Sequence, residues 1–269
     1  MRTSTTSLLG RSAVTGDLAK EDEPPGEVTA DRLYGGQVPL LQPRRGHRAG
    51  TDAVLLAGLA PVRPGDEALD LGAASGAVGL ILARREPAAR ITFVERDHAL
   101  VELCRRNIAL NDLGERARAV AADVFGTPAS WRDAELPANA ADLVLTNPPF
   151  FADASPASPD PGRRAAHRME GGDLDGWIGA AGRLLRPKGR LALIHRADHL
   201  DRCLSALAPS FGSIELRPVY GRAGEAAARI VICASKGGRA PLRIVPGLLL
   251  HSEDGAFTPE ASRLHLGPT

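Results

Sequence analysis

The sequence has few cysteines and no long apolar run, and each absence excludes a class of protein. Its three cysteines are far apart and lack the spacing of a metal or redox pair. A disulfide framework is therefore excluded, and a reducing compartment, the cytoplasm, is predicted. No apolar run approaches the ~20 residues of a membrane-spanning helix. Because His47, His167 and His195 show no ligand-like pairing, we expect no metal site.

Lysine is also scarce, and charge is distributed unevenly. Only three of the 33 basic residues are lysines, an imbalance that we attribute to genome composition rather than to phosphate recognition. The net charge is +1, yet residues 17–31 contain six acidic residues and one basic residue. The opening segment is polar and has no secretory hydrophobic core. We therefore predict a disordered leader over residues 1–30 and a single domain over residues 31–269.

What the sequence does contain is an alternation of strand-like and helix-like runs from Glu67 onward, as in a parallel sheet with helices on both faces. The predicted strands are Ala68–Leu71, Ile91–Glu95, Ala117–Ala122, Ala141–Thr146 and Leu191–Ile194, and the predicted helices are Val78–Arg85, Asp97–Asn111 and Leu174–Leu185. RPKG at 186–189 predicts a turn before the fifth strand. Ile214–Leu216 and Arg229–Ala234 follow without a helix between them and predict an antiparallel hairpin. The result is an α/β fold with a seven-stranded, mostly parallel sheet and a C-terminal antiparallel hairpin.

Three consecutive predicted strands end in an acidic residue. Asp70 opens the loop DLGAASG (70–76), Glu95 ends the second strand, and Asp123 follows the third. Because the carboxyl ends of parallel strands meet at one edge, we expect the three carboxylates to line one ligand site. Glycines allow close backbone approach, and acids there can accept hydrogen bonds from a ribose diol and an adenine amino group. The sequence therefore predicts a nucleoside site.

The fourth predicted strand runs into NPPF at 147–150, a proline-rich bend that we call the elbow. The amide oxygen of Asn147 and the carbonyl oxygen of Pro148 can accept the two N–H hydrogens of an exocyclic amine or an amide, and the prolines hold both acceptors in place. Phe150 offers a flat face to a planar base. We therefore take Asn147, Pro148, Pro149 and Phe150 as candidate catalytic residues. The alternative is a strand terminator followed by core phenylalanines.

Several motifs together resemble one enzyme family. The loop at 70–76 is similar to motif I of S-adenosylmethionine-dependent methyltransferases, with Ala74 where a glycine is common. Either the alanine methyl group crowds the cofactor, or the backbone does not need a positive φ there. Three further segments carry the resemblance: GHRAGTDAVLLAG (46–58), NPPF and KGGRAPLRIVPGLLLH (236–251). Over about residues 31–269 the chain resembles the bacterial tRNA adenine-N6-methyltransferases of the methyltransferase small superfamily. These enzymes modify adenine 37 of a valine tRNA.

This resemblance implies a Rossmann-like class I methyltransferase fold, S-adenosylmethionine as cofactor, S-adenosylhomocysteine as product and tRNA as partner. The implied cofactor-binding residues are Thr51, Asp52, Asp70, Gly72, Ala73, Ala74, Gly76, Glu95, Arg96, Asp123, Val124 and Asn147. Thr51 is equally a candidate N-cap for a helix that starts at Ala53. Two arginine clusters are candidates for RNA phosphate contacts, namely Arg44, Arg45 and Arg48, and Arg163, Arg164 and Arg168.

Other functions stay open at this point. Protein glutamine-N5 methyltransferases use a similar elbow for an amide, and guanine-N2 methylation of ribosomal RNA uses an amine that the same elbow fits. A non-catalytic RNA-binding module that has lost its cofactor through Ala74 is a third alternative. We favour an enzyme that methylates tRNA, acts as a monomer or weak dimer, and needs neither a metal nor a membrane.

Overall fold

The computed structural model describes residues 27–45, 48–149 and 173–267, which form two sheets with helices around them. The smaller sheet is an antiparallel hairpin of β1 (Val28–Leu33) and β2 (Val38–Pro43). Because β1 begins at Val28, the last three residues of the predicted leader belong to a strand, and the folded part starts earlier than residue 31. The rest of that prediction falls on residues 1–26, which lie outside the described residues.

The larger sheet contains the predicted strands in the predicted arrangement. Its strands are β3 (Glu67–Leu71), β4 (Arg90–Glu95), β5 (Ala117–Ala121), β6 (Ala141–Thr146), β7 (Leu185–Arg196), β8 (Phe211–Tyr220), β9 (Ala227–Lys236), β10 (Arg243–Ile244) and β11 (Leu248–Leu249). The order is β10-β8-β9-β7-β6-β3-β4-β5, and β11 also pairs with β8. The strands from β3 to β7 are parallel, whereas β9 is antiparallel to both β7 and β8. The mostly parallel sheet with its C-terminal hairpin is confirmed, and two two-residue strands extend it.

Helices cover both faces of this sheet and enclose two apolar cores. The helices are α1 (Thr51–Leu59), α2 (Ala77–Arg85), α3 (His98–Leu110), α4 (Pro128–Asp133), α5 (Leu174–Leu184), α6 (Leu200–Leu207) and α7 (Pro259–Leu266). Buried residues of α1, α2 and α3 cluster with Leu143 and Leu145 on one face, and those of α5 and α6 cluster with Val144 on the other. Side chains alternate along a strand, so β6, which is buried at all six positions, serves both cores.

The segment RPKG departs from the prediction. It lies inside β7 rather than in a turn before it, because α5 ends at Leu184 and the strand begins at the next residue. Ala141 pairs with Leu185 and Leu143 pairs with Arg190, so residues 186–189 bulge out opposite Asp142 alone. Arg186 in the bulge forms an ion pair with the buried Asp142 carboxylate, and Lys188 takes a left-handed φ of 64°. The Pro/Gly signal marks an irregularity in a strand instead of a strand boundary.

Among the described residues, no helix combines the length and apolar character needed to cross a membrane. In the same residues, no group of three or more histidine, cysteine, aspartate or glutamate side chains is arranged to hold a metal ion.

Candidate active site

The loop after β3 turns sharply at the carboxyl edge of the sheet. Gly72 and Gly76 have φ values of 76° and 90°, which suit glycine, and the amides of Gly72 and Ala73 donate to the carbonyl of Val94 on β4 at 2.9 and 3.0 Å. Ala74 also takes a left-handed φ, of 48°, a conformation that costs an alanine about 1–2 kcal/mol. The backbone therefore does adopt positive φ at this position.

Glu95 ties this loop to the end of β4. One carboxylate oxygen accepts a hydrogen bond from the Ala74 amide at 2.9 Å, and the other accepts from the amides of Arg96 and Asp97 at 2.8 and 3.0 Å. The oxygen that accepts from Arg96 and Asp97 has no spare lone pair, whereas the oxygen that accepts from Ala74 has one left, so Glu95 can accept one further hydrogen bond from a ligand. Asp97 serves the protein instead, since it caps α3 through the amides of Ala99 and Leu100.

The residues after β5 form a tight turn at the same edge. Asp123 accepts the Phe125 amide at 2.9 Å through its side chain and the Trp131 indole N–H at 2.9 Å through its carbonyl. The Asp123 side chain is exposed and that of Val124 is buried. The acidic residues at the ends of β3 and β4 and just after β5 thus share one edge of the sheet, as the strand pattern predicts.

A cavity of about 290 Å³ lies between the β3 loop and the start of α1. It brings together many of the residues predicted to bind the cofactor, namely Thr51, Asp52, Asp70, Gly72, Ala73, Ala74 and Asn147. Gly76, Glu95, Arg96, Asp123 and Val124 lie outside its lining, along the sheet edge. Gly76 has a packing role, because a Cβ there would come within 2.8 Å of Cys104 Sγ.

Sequence reasoning missed one charged residue of this cavity. Arg229, at the start of β9, lines it and donates from Nε to Asp52 Oδ2 at 3.0 Å. Both side chains are partly buried, with exposed fractions of 32% and 25%. The two residues are 177 positions apart. The sequence signal that could have placed Arg229 at this edge is the predicted antiparallel hairpin, because Arg229 begins its second strand. The cavity therefore offers an acid and a base side by side.

Asp70 is fully enclosed in the cavity wall. It is 2% exposed and accepts the Gly79 amide at 2.9 Å. Burial raises the pKa of Asp70 to about 7, and the nearby Glu95 carboxylate adds to this effect, whereas the Gly79 hydrogen bond opposes it. The carboxyl group is thus near its titration point at neutral pH and would ionise beside a cationic ligand.

The lead-in segment before α1 also shapes the cavity. The N-cap prediction for Thr51 is wrong, because α1 already begins at Thr51 and its cap is Gly50, which makes no side-chain cap bond. Arg48, predicted to contact RNA, donates to Thr29 Oγ1, the Pro43 carbonyl and Asp31 at 2.8–2.9 Å, so it joins the β1–β2 hairpin to the cavity wall.

The acceptor elbow follows β6 directly. Asn147 is half-buried and lines the cavity, Pro148 is buried and Pro149 is exposed. Arg44 is exposed and pairs with Glu27, and Arg45 is exposed as well. The remaining predicted site residues, Phe150, Arg163, Arg164 and Arg168, lie outside the described residues.

Comparisons with known proteins identify the family and the relatives of this chain. The family model of the methyltransferase small domain matches residues 49–218, which include the glycine loop and the elbow. A tRNA1(Val) (adenine(37)-N6)-methyltransferase from Aeromonas hydrophila is 31% identical over 214 residues, covering 78% of this chain and 85% of that protein. A protein of the same name from Porphyromonas gingivalis is 36% identical over 157 residues, covering 57% of this chain and 60% of its own length.

A solved structure is similar over most of its length. The crystal structure described as a predicted O-methyltransferase from Agrobacterium tumefaciens matches with a TM-score of 0.67 at 30% identity, covering 79% of this chain and 94% of that one. The β1–β2 hairpin and Arg229 lie outside the segment that the family model matches.

Proposed function

Because the chain belongs to the methyltransferase small family, we propose that it transfers the methyl group of S-adenosylmethionine to the N6 nitrogen of an adenine in tRNA, at position 37 beside the anticodon. The observation that carries the proposal is that Asn147 of the elbow lines the same cavity as the Gly72 loop. The acceptor group and the cofactor site are therefore adjacent. The two relatives described above are, by their names, methyltransferases that act on adenine 37 of tRNA1(Val).

The charges of the cavity fit the cofactor. S-adenosylmethionine carries a sulfonium, an ammonium and a carboxylate but no phosphate, and it supplies a methyl carbon whose bond to sulfur breaks as the new carbon–nitrogen bond forms, leaving S-adenosylhomocysteine. Asp52 and Asp70 suit its positive groups, and Arg229 suits its carboxylate. Glu95 and Asp123 lie farther along the edge, where a ribose and an adenine would follow.

The elbow activates the acceptor by position and hydrogen bonding. The lone pair of an adenine N6 amine is delocalised into the ring, which makes the nitrogen a weak nucleophile. Asn147 Oδ1 and the Pro148 carbonyl accept its two N–H hydrogens and favour a pyramidal nitrogen with its lone pair directed at the methyl carbon. These acceptors are neutral, and the proton that the nitrogen loses passes to water. A hydroxyl acceptor would need a base to remove its proton, so the elbow favours an amine.

The test uses purified protein, labelled S-adenosylmethionine and tRNA from a strain that lacks the gene, followed by nucleoside mass spectrometry. We expect N6-methyladenosine in the tRNA, and its loss when adenine 37 is replaced by guanine. Label in ribosomal RNA or in a protein instead would overturn the substrate assignment in favour of guanine-N2 or glutamine-N5 methylation. The absence of any transfer, together with no cofactor binding at millimolar concentration, would support the RNA-binding module that has lost its cofactor.

A variant of the elbow tests the mechanism in the same assay. We expect Asn147→Ala to lower kcat far more than it weakens cofactor binding, since its acceptor acts chiefly in the transition state.

A cytoplasmic location and a monomeric or weakly dimeric state belong to the same proposal. Size-exclusion chromatography with light scattering tests the oligomeric state.

A further inference from the structure

A buried hydrogen-bond chain connects the two halves of the proposed active site. The indole N–H of Trp177, on α5, donates to Thr146 Oγ1 at 2.8 Å, and the Thr146 hydroxyl donates to the Leu71 carbonyl at 2.8 Å. Thr146 is completely buried and Trp177 is 8% exposed. Water therefore has little access to these polar groups, and each depends on its partner in the chain.

This hydrogen-bond chain joins the ends of the two strands whose loops would hold the two reactants. Leu71 and Thr146 are paired residues on the parallel strands β3 and β6. The residue after Leu71 is Gly72, the first glycine of the cofactor loop, and the residue after Thr146 is Asn147 of the elbow. The hydroxyl of Thr146 thus bonds across the strands at the last position before both loops diverge.

The Trp177 ring also contacts the loop after β3 and the turn after β5. A Cβ added to Gly72 would lie only 2.8 Å from Trp177 Cζ2, so the ring packs directly against the loop backbone. The edge of the ring also meets Phe125, in the turn after β5, with ring centres 5.9 Å apart and an angle of 69°. One indole therefore contacts the loops after β3 and β5 and the last residue of β6.

Core packing alone does not require the hydroxyl. The neighbouring positions of β6 are Leu143, Val144 and Leu145, all fully buried, and a valine has nearly the shape of threonine. A threonine at this point buries a hydroxyl that needs two partners, which is a cost unless both are supplied. Here both are supplied by groups that support the reacting loops.

We propose that Thr146 and Trp177 are positioning residues, which set the separation between the bound cofactor and the acceptor nitrogen. The inference rests on the proposed function. Methyl transfer requires the reacting atoms in line at about 3–3.5 Å, and displacement by 1 Å can lower the rate by about 100-fold. These two hydrogen bonds fix the ends of β3 and β6 relative to each other. Their loss therefore changes the distance between the reacting atoms, while the residues that bind the cofactor and the tRNA stay in place.

The experiment compares Thr146→Val, which keeps the shape and removes the hydroxyl, with Thr146→Ser, which keeps the hydroxyl. For Thr146→Val we expect kcat to fall about 10- to 100-fold, with cofactor Kd and tRNA KM within about threefold of the wild type. Thr146→Ser should recover most of kcat. Trp177→Phe should resemble Thr146→Val, and the double variant should lose little more than either, because both changes break one chain.

Leu216→Val, a buried change on the distant strand β8, controls for loss of stability. It should lower Tm without a comparable fall in kcat. Wild-type kcat in Thr146→Val, or equal falls for Thr146→Val and Leu216→Val at equal loss of Tm, would overturn the inference while leaving the proposed function intact. A wild-type protein that transfers no methyl group to tRNA would overturn the proposed function, and this inference with it.

Discussion

At the residue scale, Asp52 and Arg229 give the cavity a pair of opposite charges suited to the two ends of an amino acid. Arg229 donates from Nε to Asp52 Oδ2, so its other nitrogens would bind the cofactor carboxylate, and the other carboxylate oxygen of Asp52 would accept from the ammonium. Arginine is suited to this role because it presents several donors in a rigid plane. Arg229 lies outside the family-model match, so the C-terminal hairpin contributes a charged residue to the proposed cofactor cavity from beyond the matched segment.

Two related ligands test that assignment. S-adenosylhomocysteine has the amino-acid end, and 5′-methylthioadenosine lacks it. We expect Arg229→Gln to weaken binding of S-adenosylhomocysteine about 10- to 100-fold and to leave 5′-methylthioadenosine within about threefold, measured by calorimetry. Arg222→Gln, at an exposed position in the nearby β8–β9 turn, should change neither. Equal weakening of both ligands would show that Arg229 shapes the protein rather than binding the carboxylate.

Asp70 predicts a pH dependence of cofactor binding. Because burial raises its pKa to about 7, the carboxyl group is largely protonated below pH 7 in the free protein. A cationic ligand favours the ionised form, so binding below pH 7 must release a proton and weakens as pH falls. The ratio of wild-type to Asp70→Asn affinity should fall by up to about tenfold per pH unit below 7 and level off above it. A ratio constant from pH 5.5 to 8.5 would contradict this.

At the element scale, a buried amide on α3 connects the β1–β2 hairpin to the glycine loop after β3. Asn107, on α3, is completely buried; it accepts the Leu41 amide at 2.7 Å and donates to the carbonyls of Leu41 and Ser75 at 2.8 and 2.9 Å. Gln42 extends the connection by accepting the amide of Ala49, which lines the cavity. The hairpin is therefore part of the wall and not an appendage.

We expect Asn107→Ala to lower the free energy of unfolding by about 2–4 kcal/mol, because it leaves buried backbone groups without partners. Asn111→Ala is the matched control: Asn111 donates to the Pro39 carbonyl of the same hairpin but is only partly buried, so its loss should cost about 1 kcal/mol. Urea denaturation followed by circular dichroism measures both. Equal losses for the two variants would show that the buried amide has no special part in docking the hairpin.

The elements that the sequence predicted well are those with a local signal. β6 is six buried residues in an apolar run, and the strands from β3 to β9 share that character to different degrees. The β1–β2 hairpin carries charged residues and docks through Asn107, a contact that no local pattern reveals. RPKG was misplaced because a four-residue bulge has the composition of a turn. The sequence does not place Arg229 in the cavity, because its partner Asp52 is distant in sequence, whereas it places Asp70, Glu95 and Asp123 at one sheet edge, because each lies at or just after the end of a recognisable strand.

At the scale of the whole molecule, the cavity is assembled from parts that meet only in the folded chain. Its lining comes from the start of α1, the end of β3, the residue after β6 and the start of β9. The buried apolar residues of the lining, Ala53, Ala73, Ala77 and Val78, belong to the core on the α1 face of the sheet, whereas the charged residues come from separate elements. A ligand that binds this cavity should therefore have little affinity for the unfolded chain.

This reasoning predicts that the cofactor product stabilises the entire domain. A ligand that binds only the folded state adds about 2.7 kcal/mol when it is present at 100 times its Kd. For a domain of this size that corresponds to an increase in Tm of roughly 5–10 °C, measured by scanning calorimetry with S-adenosylhomocysteine. Arg229→Gln at the same ligand concentration should gain at most about half as much, since a 10- to 100-fold weaker Kd leaves about 0.4–1.4 kcal/mol. Asn147→Ala should gain the full shift, because its side chain serves the acceptor. A Tm that does not respond to the ligand would show that the cavity is not the cofactor site.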